Sequence, residues 1–463
     1  MLFPSVPFLF YFFPVFLTVY LLLPQRGRAR NVFLLAGSLF FYAWGELANL
    51  WVLLLSLVFT YGVGLHIAGR KHWLAIGVAG HLLLLGLFKY AGFVLASLAD
   101  LGIDLPLTAK DAPALPLGIS FFTFHALSYL IDVYRGKAPP ARRLSDLALY
   151  ILLFPQLIAG PIVRFSTLHR QIARRWVTLG RLRIGMEVFC LGLMQKLLMA
   201  DTLARAVDPI FALPTADLTP SVAWMGAALY TLQLYMDFSG YSHMALGLAL
   251  MLGFRFPRNF NFPLRATSIT DFWRRWHISL SRWFRDYLYI PLGGSRGGTG
   301  RTAFNLMLVF LLCGLWHGAT WTALAWGAYN GFFLGLERVG LGRMLGRLPL
   351  LAQRAYGLIA VIAGLVIFRS ADLAQAGAFW AAMVGFGGAD ALTSVARFAA
   401  PSIAAAAMIA LVSLLPLKQM LPAASFAAPR GPWLRALACL LALLSAAMLL
   451  AHGSYSPFLY FRF

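Results

Sequence analysis

Charged residues and cysteines are both scarce in this sequence. Asp, Glu, Lys and Arg together make up only 12% of the 463 residues, whereas 60% are hydrophobic and 15% are aromatic. A water-soluble domain of that composition would expose very large apolar patches, so an ordinary soluble protein is excluded. The three cysteines show no CxxC spacing, which argues against a disulfide framework and against a structural zinc site. We therefore expect an integral membrane protein without a metal site.

Acidic residues are scarcer than basic ones, since 16 Asp and Glu stand against 38 Lys and Arg and the formal net charge is +22. An excess of that size can indicate nucleic-acid binding. Here the basic residues lie in short segments between apolar runs, which is the distribution expected when Lys and Arg are retained on the cytoplasmic side of a membrane. We expect contact with membrane lipids and no nucleic-acid partner.

Long polar stretches are also missing, and no separate soluble domain is predicted. Apolar runs of about 20 residues, enough to cross a hydrocarbon core of ~30 Å, recur along nearly the whole chain. The sequence predicts an all-α polytopic membrane protein that forms one domain over residues 1–463, with about eleven transmembrane helices. The first run, residues 6–23, is predicted to be a span and not a signal peptide, because no basic stretch precedes it. Further spans are predicted at residues 115–134, 182–200, 222–252, 304–326, near 332, and at 355–368, 403–417 and 433–451.

The basic loops set the predicted orientation in a bacterial inner membrane. Arg26, Arg28 and Arg30 follow the first span, and Arg70 and Lys71 follow the third. If these loops are cytoplasmic, the amino terminus faces outward, and the loop 100–111, acidic on balance, falls on the outer side as this scheme requires.

One hydrophobic segment breaks the alternation. Residues 147–163 have basic sequence on both flanks and carry Pro155, Gly160 and Pro161 near their end. Non-helical backbone at membrane depth persists only where protein or a water-filled cavity covers its polar groups. This segment therefore predicts a re-entrant element beside an internal chamber.

The stretch from Asp271 to Gly298, DFWRRWHISLSRWFRDYLYIPLGGSRGG, is too charged to span and too apolar for an ordinary loop. An interfacial helix here places His277 in the middle of an apolar stripe, with arginines on the other face. Headgroup anchoring alone explains the Trp, Tyr and Arg residues, but a buried imidazole needs a partner or a function. The stripe comprises Trp273, Trp276, His277, Leu280, Trp283, Phe284, Tyr287 and Leu288, and the other face Arg274, Arg275, Ser281, Arg282 and Arg285. The glycine-rich loop that follows offers Arg296 to a phosphate group, or is a plain turn.

A second histidine lies within an apolar run, in the sequence CGLWHGATW. An ionisable side chain such as His317 inside a span marks a functional site by default, although a hydrogen-bonded packing histidine is the competing interpretation. Gly314 and Gly318, one turn apart, would let another helix or a slender substrate approach the backbone.

Other polar residues occur inside predicted spans, and for most of them a structural role is expected. Asp237 is the best helper among them, because a buried carboxylate can orient an imidazole or hold an arginine. The others are His81, His125, Gln195, Lys196 and His243, whereas His66, His72, His169 and His452 are expected in loops or at span ends.

Taken together, DFWRRWHISLSRWFRDYLYIPLGG and the following CGLWHGATWT resemble the paired signature of the membrane-bound O-acyltransferases. The chain is most similar to the branch of bacterial alginate O-acetyltransferases, through NVFLLAGSLFFYAWG, PLGISFFTFHALSYLIDVYRG, FPQLIAGPIVR, YMDFSGYS, FRFPRNFNFPL and SPFLYFRF. The resemblance covers most of the chain and thins between Leu345 and Gly431. The family often has an acidic residue where this chain has His243.

This resemblance implies the fold of that family, with re-entrant and interfacial helices around a central tunnel. It implies that His317 is the catalytic histidine and His277 the second functional one. It also implies an acetyl donor on the cytoplasmic side, acetyl-CoA as a substrate with no permanently bound cofactor, and transfer outward to periplasmic acetyltransferase or acetyl-carrier proteins that modify an exopolysaccharide. Independently, Arg274, Arg282, Arg285 and Arg296 suit the phosphates of coenzyme A, and suit lipid headgroups equally well.

Three alternatives stay open at the level of sequence. Acyl transfer from a carrier-protein thioester, as in D-alanyl transfer to a cell-envelope polymer, uses the same chemistry. A transporter or flippase would use buried His and Asp to relay protons or bind cargo, but it would need two pseudo-symmetric halves that the sequence does not show. A structural scaffold for polysaccharide export is the third.

Overall fold

The computed structural model describes residues 1–103, 105–388, 395–415 and 432–451. All regular elements in these ranges are helical, which confirms the all-α prediction. The backbone contacts divide the chain into two compact units, one of Met1–Phe189 with Met244–Pro257, and one of Cys190–His243 with Arg258–Phe463. The single domain predicted from the sequence remains a prediction.

Twenty-one α-helices make up the described part of the chain. They are α1 (Phe13–Leu22), α2 (Ala29–Glu46), α3 (Leu50–His66), α4 (Lys71–Leu85), α5 (Ala91–Asp100), α6 (Ile119–Tyr134), α7 (Leu144–Leu152), α8 (Phe154–Leu157), α9 (Phe165–Ala173), α10 (Leu179–Met194), α11 (Asp201–Phe211), α12 (Pro220–Met251), α13 (Ile269–Arg275), α14 (Ile278–Phe284), α15 (Gly298–His317), α16 (Trp321–Leu336), α17 (Gly342–Leu345), α18 (Leu350–Arg369), α19 (Leu373–Met383), α20 (Pro401–Ser413) and α21 (Pro432–Ala451). Wider π-helical turns occur at Pro7–Phe12, Gly86–Tyr90, Gln195–Ala200, Arg285–Tyr289 and Glu337–Leu341.

Four helices are long and apolar enough to cross a membrane: Lys71–Asp100, Gly298–His317, Leu350–Arg369 and Trp433–Ala451. Shorter apolar helices lie at Pro7–Leu22, Leu50–His66, Ile119–Tyr134 and Pro401–Ser413. The described helices thus support a membrane protein, but they do not confirm the predicted number of about eleven spans. The predicted span 403–417 extends beyond the described residues, and His452 lies outside them.

Residues 147–163, the hydrophobic segment with basic sequence on both flanks, do not form one continuous helix, as their prolines and glycine predict. α7 ends at Leu152, α8 is a single turn, and the chain from Ile158 to Arg164 is not helical. Every residue from 147 to 163 is nevertheless buried. Buried non-helical backbone needs hydrogen-bond partners, and Tyr150 supplies one by donating its hydroxyl to the Val163 carbonyl at 3.0 Å.

Residues 304–326, predicted as one span, are not one helix. α15 ends at His317, and α16 begins after Thr320, whose side chain accepts the Ala323 N–H at 3.2 Å. A capping threonine just after Gly318 gives the chain a place to stop and restart. α15 and α16 then pack antiparallel at very close range. The evidence is that a side chain on Gly314 would meet the Ala323 carbonyl and one on Gly327 would meet the Phe310 carbonyl. The predicted helix approach at Gly314 is therefore confirmed.

Candidate active site

The basic, aromatic segment forms two short helices and not the single interfacial helix that its periodicity predicts. α13 ends at Arg275, α14 begins at Ile278, and His277 between them adopts a left-handed conformation with φ 43° and ψ 53°. Despite the break, the predicted burial pattern is confirmed for the apolar stripe and for three of the five residues of the other face, since Arg275 and Ser281 are half-buried. The residues of the predicted stripe are buried except for half-buried Leu288, whereas Arg274, Arg282 and Arg285 are exposed. His277 points inward and is completely buried.

Glu337 fixes the start of α13. Its carboxylate accepts the backbone N–H groups of Ile269 at 2.7 Å and Thr270 at 2.9 Å, and Ser268 caps the same turn by accepting from Asp271. These are the N–H groups that a helix leaves without partners of its own, and a carboxylate there is also favoured by the helix dipole. The position of α13, the helix that leads to His277, therefore depends on Glu337, a residue far along the chain.

Asn259 holds the break between the two helices. Its Oδ1 accepts the Ser279 backbone N–H at 3.2 Å and the Ser279 hydroxyl at 2.8 Å, and it lies 3.2 Å from His277 Nδ1. Its own carbonyl accepts the Ile278 N–H at 3.0 Å. Since Oδ1 can only accept, the contact requires a hydrogen on Nδ1 and makes Nε2 the basic nitrogen of His277. The sequence prediction missed Asn259, although it lies within FRFPRNFNFPL.

His317 is the last residue of α15 and is enclosed by aromatic rings. Its ring centroid lies 4.8 Å from that of Trp316, 5.2 Å from that of Trp326 and 5.5 Å from that of Phe368, with all three rings close to perpendicular to the imidazole. Only 4% of His317 is exposed. The ring therefore lies in apolar surroundings that are almost closed to water.

Trp316 brings the two histidines into one site. Its ring centroid lies 6.2 Å from that of His277 and 4.8 Å from that of His317. His277 lies in the loop between two short helices, outside the spanning ones, and burial together with the neighbouring His317 holds the pKa of His277 well below its ordinary value. Two imidazoles that the sequence separates are thus close enough to interact electrostatically.

Two spaces lie near His317, and only the smaller one is lined by it. Beside His317 a cavity of about 20 Å³, bordered by Trp276, Trp326 and Asn330, is large enough for about one water molecule. A second pocket of about 260 Å³, here called the Trp273 pocket, reaches Cys313, which lies one helical turn before His317. Trp273 lines that pocket and donates its indole N–H to Asn330 at 3.0 Å, so its side chain stands between the two spaces.

The four arginines proposed to hold the donor divide into two groups. Arg274 and Arg285 line the Trp273 pocket, together with apolar residues that include Phe284 and Phe310. Arg285 also forms an exposed ion pair with Asp286 at 2.6 Å. Arg282 and Arg296 are exposed but are not among the residues that line this pocket. The structure therefore brings two of the four to the Trp273 pocket, which reaches Cys313, one helical turn before His317.

Asp237 has a different role from the predicted ones. It pairs with Lys196 at 2.8 Å, and Lys196 also pairs with Asp201 at 2.7 Å; all three side chains are buried. A lysine on the π-helical turn before α11 is thus the partner, in place of an imidazole or an arginine. The next residue, Phe238, meets His277 edge-on at 4.6 Å, so this ion-paired stretch of α12 forms one wall of the histidine site.

Five other histidines within the described residues contact neighbouring side chains or backbone. His81 lies 2.9 Å from the Thr60 hydroxyl, His243 lies 2.7 Å from Gln195 Oε1, and His125 is fully buried with its ring edge-on to Tyr150. His66 and His169 contact backbone carbonyls one turn earlier on their helices. The contacts of His81, His125 and His243 agree with the structural roles expected from the sequence. His66 ends α3 as expected, whereas His169 lies inside α9 and not in a loop or at a span end.

Comparison with known families gives one match. Residues 117–365 match the model of MBOAT, the membrane-bound O-acyltransferase family. That range contains the break at His277, Asn259, the α15–α16 hairpin and His317.

Individual relatives extend the match beyond that range. The chain is 46% identical over 398 residues to the probable alginate O-acetylase of Azotobacter vinelandii, covering 84% of this chain and 79% of that protein. It is 38% identical over 376 residues to the peptidoglycan O-acetyltransferase of Helicobacter pylori, covering 73% and 70%. It is 28% identical over 270 residues to the teichoic acid D-alanyltransferase of Bacillus subtilis, covering 53% and 67%.

Proposed function

The chain belongs to the membrane-bound O-acyltransferase family, and we propose that it moves acetyl groups from a cytoplasmic thioester, acetyl-CoA, across the bacterial inner membrane for O-acetylation of an exopolysaccharide such as alginate. His317 is the catalytic residue, and His277 assists it. In the proposed fold, about eleven membrane helices surround a central tunnel that opens on both faces of the membrane.

The observation that carries this proposal is the convergence of two buried imidazoles on Trp316. Histidine is the side chain best suited to move a proton near neutral pH, and a neutral imidazole in an apolar enclosure can act as a general base or as a nucleophile. His317 supplies that group at the end of a membrane helix, and the break at His277 aims a second ring at the same tryptophan.

The proposed reaction conserves atoms and charge. The acceptor hydroxyl attacks the thioester carbonyl carbon, His317 takes the hydroxyl proton, the C–S bond breaks, and the proton passes to the departing thiolate to give free coenzyme A. In the nucleophilic version the acetyl group rests on an imidazole nitrogen of His317 before the acceptor takes it. His277 holds the thioester group beside His317, and its basic Nε2 relays the proton from His317 to the departing sulfur.

The Trp273 pocket provides a path for the donor. Arg274 and Arg285 at its rim suit the phosphates of coenzyme A, and the apolar interior that ends at Cys313 suits an extended thioester arm. The cavity beside His317 is too small for an acetyl group, so the Trp273 side chain must move aside when the thioester arrives. Only the acetyl group then crosses, and a separate periplasmic acetyltransferase or acetyl carrier takes it to the polymer.

Labelling in vesicles tests the assignment. Membrane vesicles that contain this protein and its periplasmic partners are supplied with radioactive acetyl-CoA, and label is measured on the periplasmic acceptor. We expect His317→Ala to abolish labelling, and His317→Asn, which keeps a polar side chain without a base, to do the same. His66→Ala, at an exposed position, serves as the matched control and retains full labelling.

The same vesicles separate the competing functions. Undiminished labelling by His317→Ala, with equal amounts of protein in the membrane, would reject the catalytic role. Labelling from a carrier-protein thioester in place of acetyl-CoA would favour the D-alanyl type of reaction. A peptide acetylated on His317 after rapid quenching would establish the nucleophilic version.

A further inference from the structure

A cluster of arginines lines a cavity remote in sequence from the histidine site. Residues of the α1–α2 loop, the first turn of α2 and the α9–α10 connection enclose about 520 Å³, within the range of small-molecule sites. Four arginines line it, namely Arg26, Arg30, Arg174 and Arg175, together with Gln25, Gly27, Asn31, Ile172, Ala173 and Trp176. We call this the arginine cavity. No acidic residue is among these lining residues.

Two of the guanidinium groups converge on one tyrosine. The Arg30 guanidinium lies 5.0 Å from the centre of the Tyr20 ring, and Arg175 Nε donates to the Tyr20 hydroxyl at 3.1 Å. Burial lowers the pKa of Arg175, and the like charge of Arg30 adds to this effect. Two cations held together without a carboxylate repel each other, and an anion between them would relieve that repulsion.

The cavity is built in advance of any ligand. The Gln25 side chain exchanges two hydrogen bonds of 3.2 Å with the Val177 backbone, and Asn31 donates to the Ile172 carbonyl at 3.0 Å. Asn31 Oδ1 also accepts from Arg175 at 2.6 Å. Arg30 is held by the carbonyls of Leu21 and Leu23. These hydrogen bonds hold the α1–α2 loop against the α9–α10 connection. Anion binding therefore does not carry the entropy cost of ordering these two segments.

The surroundings point to a membrane lipid as the source of the anion. The apolar helix Pro7–Leu22 ends beside the cavity, and Leu22 at its end is 80% exposed. Leu179 at the start of α10 is 84% exposed, and Trp176, which lines the cavity, is 48% exposed with Arg26 stacked over its ring at 5.9 Å. Exposed apolar residues with a tryptophan beside arginines are typical of the headgroup region, where an aromatic ring lies between tails and water.

We propose that the arginine cavity binds the phosphate of an anionic phospholipid headgroup in the cytoplasmic leaflet. Buried Arg30 and half-buried Arg175 form the floor of the site. The exposed pair, Arg26 and Arg174, closes over the phosphate from the water side, while the lipid tails lie along the exposed leucines. The positive-inside pattern, which puts the α1–α2 loop in the cytoplasm, places the cavity at the leaflet richest in anionic lipid.

Native mass spectrometry of the purified full chain tests this assignment. The protein is released from nanodiscs that contain phosphatidylglycerol or phosphatidylcholine, and retained lipid is counted. We expect retention of phosphatidylglycerol alone, with affinity lowered about tenfold or more in Arg26→Gln/Arg174→Gln. Both positions are exposed, so the variant should fold. The matched control is Arg142→Gln/Arg143→Gln, which removes the same charge from another exposed basic loop and should bind as the wild type does.

Competition identifies the source of the phosphate. Coenzyme A and inorganic phosphate are added to the lipid-bound wild type, and neither should displace phosphatidylglycerol. Displacement by coenzyme A would assign the cavity to a soluble phosphate compound and overturn the lipid assignment. Equal retention of phosphatidylglycerol by Arg26→Gln/Arg174→Gln and by the wild type, or equal retention of both lipids, would overturn it as well.

Discussion

At the scale of single residues, the histidine site depends on a backbone conformation that few side chains adopt. His277 is one of two non-glycine residues with positive φ among the described residues, and left-handed backbone of this kind costs of order 1–3 kcal/mol. Asn259 offsets that cost, since its Oδ1 and its carbonyl both accept bonds at the break. The aim of the imidazole therefore depends on an amide eighteen residues earlier in the chain.

Removal of that amide should misdirect His277. In Asn259→Ala the Ser279 N–H and the His277 Nδ1–H lose their acceptor in a buried site, which costs about 1–3 kcal/mol of stability. We expect kcat to fall up to about 100-fold, because small displacements of a catalytic group are costly, while KM for the donor changes little. Steady-state kinetics on protein in nanodiscs separate the two constants.

Ser242→Ala is the matched control for this prediction. It removes only the acceptor of the Asn259 amide N–H, at 3.3 Å, and leaves the contacts of Oδ1 intact. A kcat close to the wild-type value is expected for it. If Asn259→Ala kept wild-type kcat, or if both variants lost activity equally, the amide would not position His277.

Residues of the site differ in how far the sequence reveals them. His277 and His317 stand out in the sequence because each lies in a motif that resembles the membrane-bound O-acyltransferases, whereas His81, His125 and His243 also lie in apolar runs and make structural contacts. The catalytic roles of His277 and His317 stay a prediction. Asn259 could not be predicted, because a buried asparagine in a polar connection looks like any loop residue until its partners are known. Asp237 was singled out correctly as buried, yet its partner Lys196 lies on a different helix, and only the fold brings the two together.

At the scale of elements, turn chemistry decides where the sequence prediction is wrong. Apolar periodicity predicts one span over 304–326, but the Gly318 to Thr320 connection ends α15 and caps α16. Apolar periodicity also predicts one helix through His277, where the structure has two, because the burial pattern continues unchanged across the break. The prolines and glycine in 147–163, in contrast, do coincide with a break in the helix, since proline cannot continue a helix interior. The re-entrant course and the internal chamber stay predictions.

The glycines between α15 and α16 give a prediction at this scale. Gly314→Ala places a methyl group against the Ala323 carbonyl, which is backbone and cannot rotate away, so the helices must separate. We expect a loss of stability of about 1–3 kcal/mol and a marked loss of acetyl transfer, because His317 follows one turn later. Thermal unfolding in detergent and vesicle labelling measure the two effects.

Gly377→Ala is the control of identical chemistry. Gly377 lies inside α19 with open space where its side chain would be, so alanine should leave stability unchanged or raise it by about 0.5–1 kcal/mol. Equal melting temperatures for Gly314→Ala and the wild type would show that the close approach of the two helices is not required.

At the scale of the whole molecule, charge is the quantity that the sequence predicts best. The net charge is +22, and the basic residues of the loops predict an orientation without any knowledge of packing, although others, such as Lys89 and Lys196, are buried within helices. The number of membrane crossings is harder to predict, because several helices are short, broken or rich in polar side chains that face other helices. Only four described helices are long and apolar enough to span by composition alone.

Orientation can be tested with single cysteines. After Cys190, Cys313 and Cys439 are replaced by alanine, Arg28→Cys places a thiol in the exposed α1–α2 loop and Lys110→Cys places one in the exposed loop before α6. If basic loops are cytoplasmic, a membrane-impermeant maleimide should label Lys110→Cys in intact spheroplasts and Arg28→Cys only in inverted vesicles. Arg142→Cys, in another basic loop, should behave as Arg28→Cys does. Labelling of Arg28→Cys from outside would reverse the predicted orientation of the α1–α2 loop, and the arginine cavity would then lie at the outer leaflet and not at the cytoplasmic one.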